Sequence, residues 1–496
     1  MPDDLYIGVD LGTTGVKVGL FDADGRTVAT AAREIELDAP APGFLEFDAD
    51  AYVGLAFDAI REVLAADRAC AGAVKAVGLS SQAQTFVLLD AAGRPLRPAV
   101  SWLDVRAAAE AEELSAQARR LGRGELNAIA SGPKILWLRR HEPETAARVA
   151  RMQAIPDYFL FRLTGRAATD PVTASATGLY DRWNPGWIDE LLDACGLSRA
   201  MVPDVLRPGE PAGTLTEDAA RELGLAPDAI GVVGTNDQYA GALGAGNIAP
   251  GCASLALGTA LAIVATSTTR ENVPRGEGVA VHPAAEVGRE LYALLAYAKT
   301  SGVLFRWFRD QFAPGLSYDE LFAEIGAAPV GSGGVSCIPH FSGTGTPDFD
   351  PAVRGAFSGI TLSHGRAHLA RALAESLAFT VRDNLELLGR TVDVTELRAI
   401  GGGARSDVWL QMIADVAGVT VERPRAREAA CLGAAALAMV GAGRFATVAE
   451  AAARLYKRER RFAPDAELRE RYDEARRRHR ALFESMYGAK EDAPDG

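Results

Sequence analysis

Asp10 stands at the end of a short apolar segment, directly before the turn Gly12-Thr13-Thr14-Gly15. A turn rich in Gly and Thr presents several backbone N–H groups and hydroxyls in a small space, which suits phosphate oxygens. We therefore predict that Thr13, Thr14 and Lys17 lie near a phosphate and that Asp10 faces a bound cation. The alternative is an ordinary hairpin turn in which Gly supplies positive φ, and a single such turn favours that alternative.

The same pattern recurs about half a chain later. The segment "VDLGTTGVKVGLFD" near the start is echoed by "LALGTALAIVAT" at residues 255–266, and each predicts a strand, a Gly-Thr turn and a second strand. Two such turns facing each other across a cleft would clamp a polyphosphate from both sides. The repetition, together with the acid at Asp10, favours phosphate binding and predicts two related domains. Neither G-x-x-x-x-G-K-[ST] nor a G-x-G-x-x-G between a strand and a helix occurs.

A second acidic residue is the candidate catalytic group. Residues 230–234 predict a strand, and Asn236-Asp237-Gln238 follow at the start of a helix of small residues. Catalytic and ligand-binding residues of α/β proteins commonly lie at the carboxyl ends of strands. In phosphoryl transfer, an Asp in such a position can accept the proton of the attacking hydroxyl. Asn and Asp are also common helix caps, and the local sequence supports both interpretations equally.

Three consecutive glycines, Gly401 to Gly403, separate a predicted strand from a predicted helix that starts after Ser406. Glycines let the backbone approach a flat ligand closely, and the helix N-terminus adds hydrogen-bond donors. The alternative is a flexible connection between strand and helix. Three glycines in a row are more than a connection needs, so the pattern favours a nucleotide.

Short apolar strands alternate with longer amphipathic helices through most of the chain, which predicts an α/β fold. The predicted strands cover residues 6–10, 16–21, 76–80, 86–89, 230–234, 254–257, 261–265 and 397–400. The predicted helices cover residues 51–65, 106–114, 368–388 and 406–417. The Gly/Pro-rich stretch 241–251 predicts the boundary between an N-terminal domain, 1–246, and a C-terminal domain, 247–496. Residues 454–480, rich in Arg, Lys and Glu, predict a solvated helical face.

The composition is that of a globular protein, since 48% of the 496 residues are hydrophobic and 24% are charged. A net charge of −13 argues against binding of polyanions through bulk charge. The five cysteines form no C-x-x-C pair and no Cys/His cluster, which predicts reduced thiols and no metal site among them: Cys70, Cys195, Cys252, Cys337 and Cys431. The chain shows neither a signal-peptide pattern nor a long apolar segment. We therefore predict a cytoplasmic protein without nucleic-acid or membrane partners.

Taken together, these segments resemble the FGGY carbohydrate kinases, and within that family the xylulokinase-like branch. "DLGTTGVKVGLFD" resembles the phosphate-binding opening of the family, "NDQYAGALGAG" its catalytic segment and "GGGARSDVWLQMIAD" its adenine-side segment. "SGPKILWLRRHEPE" at residues 131–144 and "RGAFSGITLSHGRAHLARALAES" at 354–376 are similar to its two signatures. The order and spacing of these five segments, over nearly the whole chain, argue against a chance match.

The resemblance implies two actin-like ATPase domains of the ribonuclease H-like type around a central cleft, with ATP and Mg²⁺ as cofactors. It implies that Asp237 is the general base for the sugar hydroxyl and that Asp10 lies by the magnesium. The implied nucleotide-binding residues are Thr13, Thr14, Lys17, Gly258, Thr259, Gly402, Gly403 and Asp407. The implied sugar-binding residues are Gln84, Trp102, Asp104, Asp237 and Gln238.

Two departures from the family pattern bear on the sugar. Ala83-Gln84-Thr85 stands where xylulokinases typically carry Met-His-Gly, and glycerol kinases place Arg-Glu at the first two of these positions. Thr344 and Gly345 stand where many xylulokinases have Glu-Arg. Neither departure touches the residues implied in phosphoryl transfer. We expect a kinase for a ketose, with D-xylulose as the first choice and another tetrulose, pentulose, hexulose or polyol as alternatives.

Two further alternatives are open. A kinase for an acid sugar such as gluconate would need a cationic partner in the pocket, which Ala83-Gln84 does not supply. A non-catalytic ATPase related to actin or to the heat-shock chaperones would not need Trp102, Asp104 and Asp237 to converge on a sugar-sized site. Many relatives form dimers, so a homodimer is compatible with the resemblance, although no surface pattern in the sequence decides it.

Overall fold

The computed structural model describes residues 4–65, 71–284 and 291–488, so Cys70 and both chain ends lie outside the described residues. Contacts between Cα atoms divide the described chain into two units. The first contains residues up to 246 and residues 428–455, and the second contains residues 247–284, 291–427 and 456–488.

The elements are numbered in chain order. The strands are β1 (Leu5–Leu11), β2 (Gly15–Asp22), β3 (Thr27–Glu34), β4 (Glu46–Phe47), β5 (Val74–Ser81), β6 (Phe86–Leu89), β7 (Ala99–Val100), β8 (Arg151–Ala154), β9 (Ala168–Thr169), β10 (Tyr180–Asp181), β11 (Gly186–Trp187), β12 (Asp204–Val205), β13 (Pro211–Thr214), β14 (Ile230–Asn236), β15 (Cys252–Leu257), β16 (Leu261–Ser267), β17 (Ala280–Pro283), β18 (Tyr292–Ala298), β19 (Ser336–Ile338), β20 (Ala356–Ser358), β21 (Glu396–Ile400), β22 (Thr420–Pro424) and β23 (Arg458–Phe462). The α-helices are α1 (Ala49–Ala65), α2 (Ala108–Arg120), α3 (Ser131–His141), α4 (Pro143–Ala146), α5 (Ile155–Thr164), α6 (Pro171–Ala176), α7 (Asp189–Ala194), α8 (Glu217–Leu223), α9 (Asp237–Gly244), α10 (Gly302–Phe312), α11 (Tyr318–Ala327), α12 (Arg366–Leu388), α13 (Asp407–Ala417), α14 (Ala429–Gly441), α15 (Val448–Leu455) and α16 (Arg469–Tyr487).

The main sheets of the two units repeat one topology. In the first unit the strand order is β3-β2-β1-β5-β14-β13, and in the second it is β18-β16-β15-β21-β22-β23, with β17 added beside β18. In each sheet the first three strands are antiparallel, the next two join in parallel, and the last is again antiparallel. The repeated order confirms the prediction of an α/β fold built from two related halves, each opening on a similar hairpin.

The core of the first unit packs its main sheet against helices that include α1, α5 and α8. Ile7, Val9 and Val18 of the sheet are buried, and Phe57 and Ile60 of α1 belong to the same hydrophobic cluster. This packing follows from the alternation of apolar residues in the strands and their spacing in the helix. A second cluster unites β6 with α2, α3 and α7.

The helix α14 packs in the first unit although it lies after the predicted boundary between residues 246 and 247. The prediction assigned every residue after 246 to the C-terminal domain, whereas residues 428–455 pack in the first unit. Glycines make this packing close: a Cβ on Gly8 of β1 would lie 1.9 Å from the carbonyl oxygen of Cys431, and one on Gly78 of β5 would lie 2.1 Å from that of Ala434. The helix therefore packs directly on the backbone of the strands. The position of its residues in the sequence does not reveal this packing.

The remaining structural predictions concern cysteines and membranes. Four cysteines are free and buried, in agreement with the prediction of reduced thiols: Cys195, Cys252, Cys337 and Cys431. Within the described ranges, none of the helices combines the length and the apolar character needed to cross a membrane.

Candidate active site

The carboxyl ends of three parallel strands of the first sheet meet at one edge. The β1–β5 register places Asp10 beside Ser80, and the β5–β14 register places Ser80 beside Thr235. Ser80 Oγ donates a hydrogen bond of 2.7 Å to Asp10 Oδ1. Since α9 begins at Asp237, two residues after Thr235, the strand pairing brings both predicted acids to the same edge.

Asp237 is not the cap of its helix. Asn236 occupies the N-cap position, and its side-chain oxygen accepts a 3.1 Å hydrogen bond from the backbone N–H of Gln238. The same N–H lies 2.8 Å from Asp237 Oδ1. Burial raises the pKa of Asp237 to about 7, and the negative charge of Asp10 is the second cause of this increase. Hydrogen bonds from Gln238 and Asn236 act in the opposite direction. A carboxylate with this pKa is matched to accept a proton near neutral pH.

The pH dependence of turnover follows from this pKa. Because a general base works only when it is deprotonated, kcat/KM is expected to rise with pH, to reach half its maximum near pH 7, and to level off above it. The profile is measured by initial rates between pH 5.5 and 9. A flat profile would contradict the assignment of Asp237 as the base.

Asp10 and Lys17 face each other across the first hairpin. The β1–β2 register pairs them directly, and Lys17 Nζ donates a 2.8 Å hydrogen bond to Glu428 Oε2. Burial raises the pKa of Asp10, while Ser80 and the ammonium of Lys17 act in the opposite direction. The lysine predicted at the phosphates is thus ion-paired with an acid that precedes α14, and its phosphate role stays a prediction.

The turn between β1 and β2 is held from several directions. The N–H of Gly12 donates to the carbonyl of Gly15 at 2.9 Å, and the Gly12 carbonyl accepts from Tyr52 Oη at 2.6 Å and from Gln82 Nε2 at 3.2 Å. Trp102 Nε1 donates to Thr13 Oγ1 at 2.8 Å. A residue predicted at the sugar and one predicted at a phosphate are therefore in direct contact.

The remaining predicted residues of this turn and of the sugar site differ in exposure. Thr14 is exposed, whereas Gln238 is half-buried beside Asp237. Gln84 is also half-buried and adopts a φ of 61°, which is uncommon outside glycine, and its carbonyl accepts a 2.9 Å hydrogen bond from Ser131 Oγ. Residues held in such sparsely populated conformations cluster at functional sites, which supports the prediction for Gln84.

Asp104 lies inside the protein rather than on a pocket surface. Its side chain is fully buried, and Arg106 Nε contacts both carboxylate oxygens at 2.9 and 3.0 Å. The second oxygen also accepts a 2.7 Å hydrogen bond from the backbone N–H of Leu45. These contacts engage Asp104 in shaping the loop that carries Trp102, and a direct contact with a sugar stays a prediction.

A buried lysine fixes the same loop from beneath. Lys134 of α3 is fully buried, and its Nζ donates to the carbonyls of Ser101 at 2.8 Å and of Trp102 at 3.2 Å. Burial lowers the pKa of Lys134 to about 7, although the charge of Asp104 opposes this shift. The loop is therefore positioned by a cation on one side and by the Asp104–Arg106 pair on the other.

In the second unit, the second Gly-Thr turn and the glycine run are neighbours. Gly401 has a φ of 87°, and a Cβ on it would lie 3.0 Å from the carbonyl oxygen of Leu257, directly before Gly258. Gly258 and Thr259 are exposed, and their carbonyls accept hydrogen bonds from the start of α10. At Gly402 an added Cβ would meet no atom within 4 Å, so the backbone is accessible there to a flat ligand.

The other predicted nucleotide residues have defined contacts. Gly403 packs on Trp409, because an added Cβ would lie 2.3 Å from the indole ring. Asp407 accepts a 2.7 Å hydrogen bond from Arg423 Nη1 and also pairs with Arg460. A pocket of about 120 Å³ lies beside these residues, lined by Gly401 and Arg423 among others. The predicted base-binding residues are therefore brought together, with Asp407 engaged in ion pairs.

The donor groups of the first unit are compatible with Mg²⁺. Within residues 4–65, 71–284 and 291–488, no group of three or more His, Cys, Asp or Glu side chains is arranged to hold a metal. Mg²⁺ at a nucleotide site needs only one or two carboxylates, because phosphates and waters supply the other oxygens. Asp10, with Ser80 orienting its carboxylate, offers such a ligand, so the residues present fit this ion.

Several residues of this site were not predicted. Ser80 is the last residue of the predicted strand 76–80 and Gln82 follows that strand, so the rule that selected Asp237 at a strand end would also have selected them. Tyr52 and Lys134 lie on helices and carry no local signal of their contacts. Glu428 is 411 positions from Lys17 in the chain, and only the tertiary structure reveals the pair.

Known carbohydrate kinases match this chain over most of its length. Residues 5–244 match the N-terminal domain of the FGGY family of carbohydrate kinases, and residues 253–442 match its C-terminal domain. The chain is 32% identical to a xylulose kinase of Escherichia coli (strain K12) over 97% of this chain and 99% of that protein. It is 34% identical to a glycerol kinase of Citrifermentans bemidjiense over 96% of this chain and 97% of that protein.

A solved structure gives the same result. The xylulose kinase from Rhodospirillum rubrum superposes with a TM-score of 0.86 at 28% identity, covering 97% of this chain and 99% of that one. The fold is thus the predicted pair of actin-like ATPase domains, and the enzyme is a carbohydrate kinase. The predicted resemblance is confirmed: the chain belongs to the FGGY family of carbohydrate kinases.

Proposed function

We propose that this kinase transfers the γ-phosphate of ATP to a hydroxyl of a ketose, and that the preferred substrate is a pentulose such as D-xylulose. The observation that carries the proposal is the pair of acids at one edge of the first sheet. One of them, Asp237, has a pKa of about 7, and the other, Asp10, is oriented by Ser80. Phosphoryl transfer needs a proton acceptor and a cation site in just such proximity.

In the proposed reaction, Asp237 accepts the proton of the sugar hydroxyl as that oxygen attacks the γ-phosphorus. Asp10 holds Mg²⁺, which when bound offsets the negative charge of the phosphates. Thr13, Thr14 and Lys17 orient the phosphates. The residues proposed to bind the nucleotide are Gly258, Thr259, Gly402, Gly403 and Asp407. Gln84, Trp102 and Gln238 contact the sugar.

The choice of a neutral sugar rests on the cations near the proposed site. Lys17 is paired with Glu428, Arg106 with Asp104, and the ammonium of Lys134 points at two backbone carbonyls. Arg106 and Lys134 are engaged by protein groups, and Lys17 is paired with Glu428 and assigned to the phosphates, so none of the three is assigned to a substrate carboxylate. This supports a ketose over an aldonic acid. The relatives alone do not choose between xylulose and glycerol, because their identities to this chain are similar.

An assay of ADP release with ATP and Mg²⁺, across ketoses, polyols and aldonic acids, tests the proposal. We expect the highest kcat/KM for one ketose, with low values for glycerol and gluconate. A high kcat/KM for glycerol or gluconate would contradict the proposal that the substrate is a ketose. A double variant, Ala83→Met with Gln84→His, tests whether these positions choose the sugar. Because His tolerates positive φ better than most residues, the variant should fold and shift preference toward D-xylulose.

A further inference from the structure

Glu428 occupies the N-cap position of α14 but does not cap it. Its side chain makes no hydrogen bond to the backbone of its own helix. Its Oε2 instead accepts the 2.8 Å hydrogen bond from Lys17 Nζ. An acid at the start of a helix is favourably placed to interact with that helix. Here the carboxylate instead binds a lysine of β2, which indicates that it stabilises the position of that lysine rather than the helix.

Lys17 has a second acidic neighbour. It is directly opposite Asp10 in the antiparallel β1–β2 pair, and side chains of directly opposite residues lie on one face, with Cβ atoms about 4.5–5.5 Å apart. The ammonium is therefore within reach of two carboxylates, and in the structure it is bonded to Glu428. The pair is partly solvated, since the side chains of Lys17 and Glu428 are 51% and 30% exposed.

The position of Glu428 is fixed by the packing of α14. A Cβ on Gly433 of α14 would lie 1.9 Å from the carbonyl oxygen of Ala240 in α9, the helix that begins at Asp237. With the contacts at Gly8 and Gly78, the helix touches the three elements that carry Asp10, Ser80 and Asp237. The glycines let α14 pack closely on these three elements, and this packing places Glu428 beside the first hairpin.

We propose that Glu428 is a positioning residue for the kinase reaction, which holds the ammonium of Lys17 away from Asp10 and so leaves the Asp10 carboxylate free for a divalent cation. Without Glu428, Lys17 would pair with its cross-strand neighbour, and the ammonium would compete with the cation for the same oxygens. The inference rests on the proposed function, in which Asp10 is the carboxylate that serves Mg²⁺.

A double-mutant cycle tests this inference without turnover. Mn²⁺ binding is measured in the presence of ADP, from the electron paramagnetic resonance signal of free Mn²⁺, for Glu428→Gln in the parent enzyme and in a Lys17→Met background. We expect Glu428→Gln to weaken Mn²⁺ binding about fivefold in the parent, the weight of a partly exposed ion pair. In the Lys17→Met background only a small loss is expected, since no ammonium remains to be released.

The difference between the two backgrounds isolates the proposed effect, because the lost negative charge by itself weakens Mn²⁺ binding equally in both. Equal losses in both backgrounds, or no loss in the parent, would overturn the inference. Asp204→Asn, which removes the exposed pair with Arg166, is the matched control and should leave Mn²⁺ binding unchanged.

Two further measurements separate the causes of a negative result. If Glu428→Gln does not fold, Glu428→Asp keeps the charge on a shorter side chain, and a smaller loss confined to the parent background is then expected. The sugar-dependent release of ADP by the parent enzyme is measured in parallel. Absence of that activity would refute the proposed function, whereas an additive cycle in an active enzyme would refute only the role of Glu428.

Discussion

Replacing Asp237 by Asn is expected to reduce turnover with the accepted sugar by roughly 10²–10⁴-fold, the usual contribution of a positioned base. The amide has nearly the same shape as the carboxylate, so the 3.1 Å hydrogen bond that caps α9 through Asn236 should persist. Nucleotide affinity should therefore remain nearly unchanged. Steady-state kinetics on the best substrate, with nucleotide binding measured by calorimetry, gives both quantities. Near-normal turnover in this variant would show that another group accepts the proton.

A second buried acid provides the control for this experiment. Asp170 is buried, and burial raises its pKa to about 6 against its hydrogen bonds, so it resembles Asp237 in its titration. Its oxygens accept hydrogen bonds from the backbone N–H groups of Val172 and Thr173, which places it at the start of α6 in a structural role. Asp170→Asn should therefore lower the melting temperature while turnover per folded molecule stays within a few-fold. A large loss of turnover in both variants would mean that burial of an acid, rather than its position, explains the effect.

The elements near the site were predictable because their signals are local. The alternation of β1 and β2, the Gly-Thr turn between them and the strand that ends before Asp237 each fit within a few residues. All the predicted strands are present, and Ser406 caps α13 as predicted, accepting a hydrogen bond from the N–H of Trp409. The helix predicted at 106–114 is α2, which begins at Ala108 and continues to Arg120.

What the sequence did not show depends on distant partners. The segment 454–480 was predicted as a solvated helical face, but it contains the edge strand β23 before α16 begins. Within α16, Arg476 is only 6% exposed and pairs with Asp383 and Glu386 of α12. A run of charged residues looks the same in the sequence whether its partners are water or acids about ninety positions away. The pairing of Lys17 with Glu428 is hidden for the same reason.

The second large expected effect concerns Lys134, the buried lysine that holds the loop carrying Trp102. The substitution Lys134→Met fills a similar volume but leaves the carbonyls of Ser101 and Trp102 without their buried donor, at a cost of about 1–3 kcal/mol in the free energy of unfolding. Because Trp102 in turn donates to Thr13, the loop and the phosphate turn should both lose their alignment. We expect kcat/KM for the sugar to fall about 10–100-fold, since small displacements of positioning groups have effects of that size. Chemical denaturation and steady-state kinetics measure the two effects.

Arg139 on the same helix is the matched control for Lys134. It also donates to two backbone carbonyls, those of Asp193 and Ala194, at 3.1 and 2.8 Å, but these hydrogen bonds are exposed. Arg139→Met should therefore change the free energy of unfolding only slightly and leave kcat/KM unaltered.

The lowered pKa of Lys134 also predicts a pH dependence of stability, which a purely steric role of this residue would not produce. The pKa of Lys134 is about 7 in the folded state and higher in the unfolded chain. Above pH 7 the unfolded chain therefore binds more protons at this lysine than the folded protein does. The free energy of unfolding of the parent should consequently increase as the pH rises above 7. Lys134→Met should remove this gain, and an unchanged pH dependence of unfolding would show that Lys134 is not the group responsible.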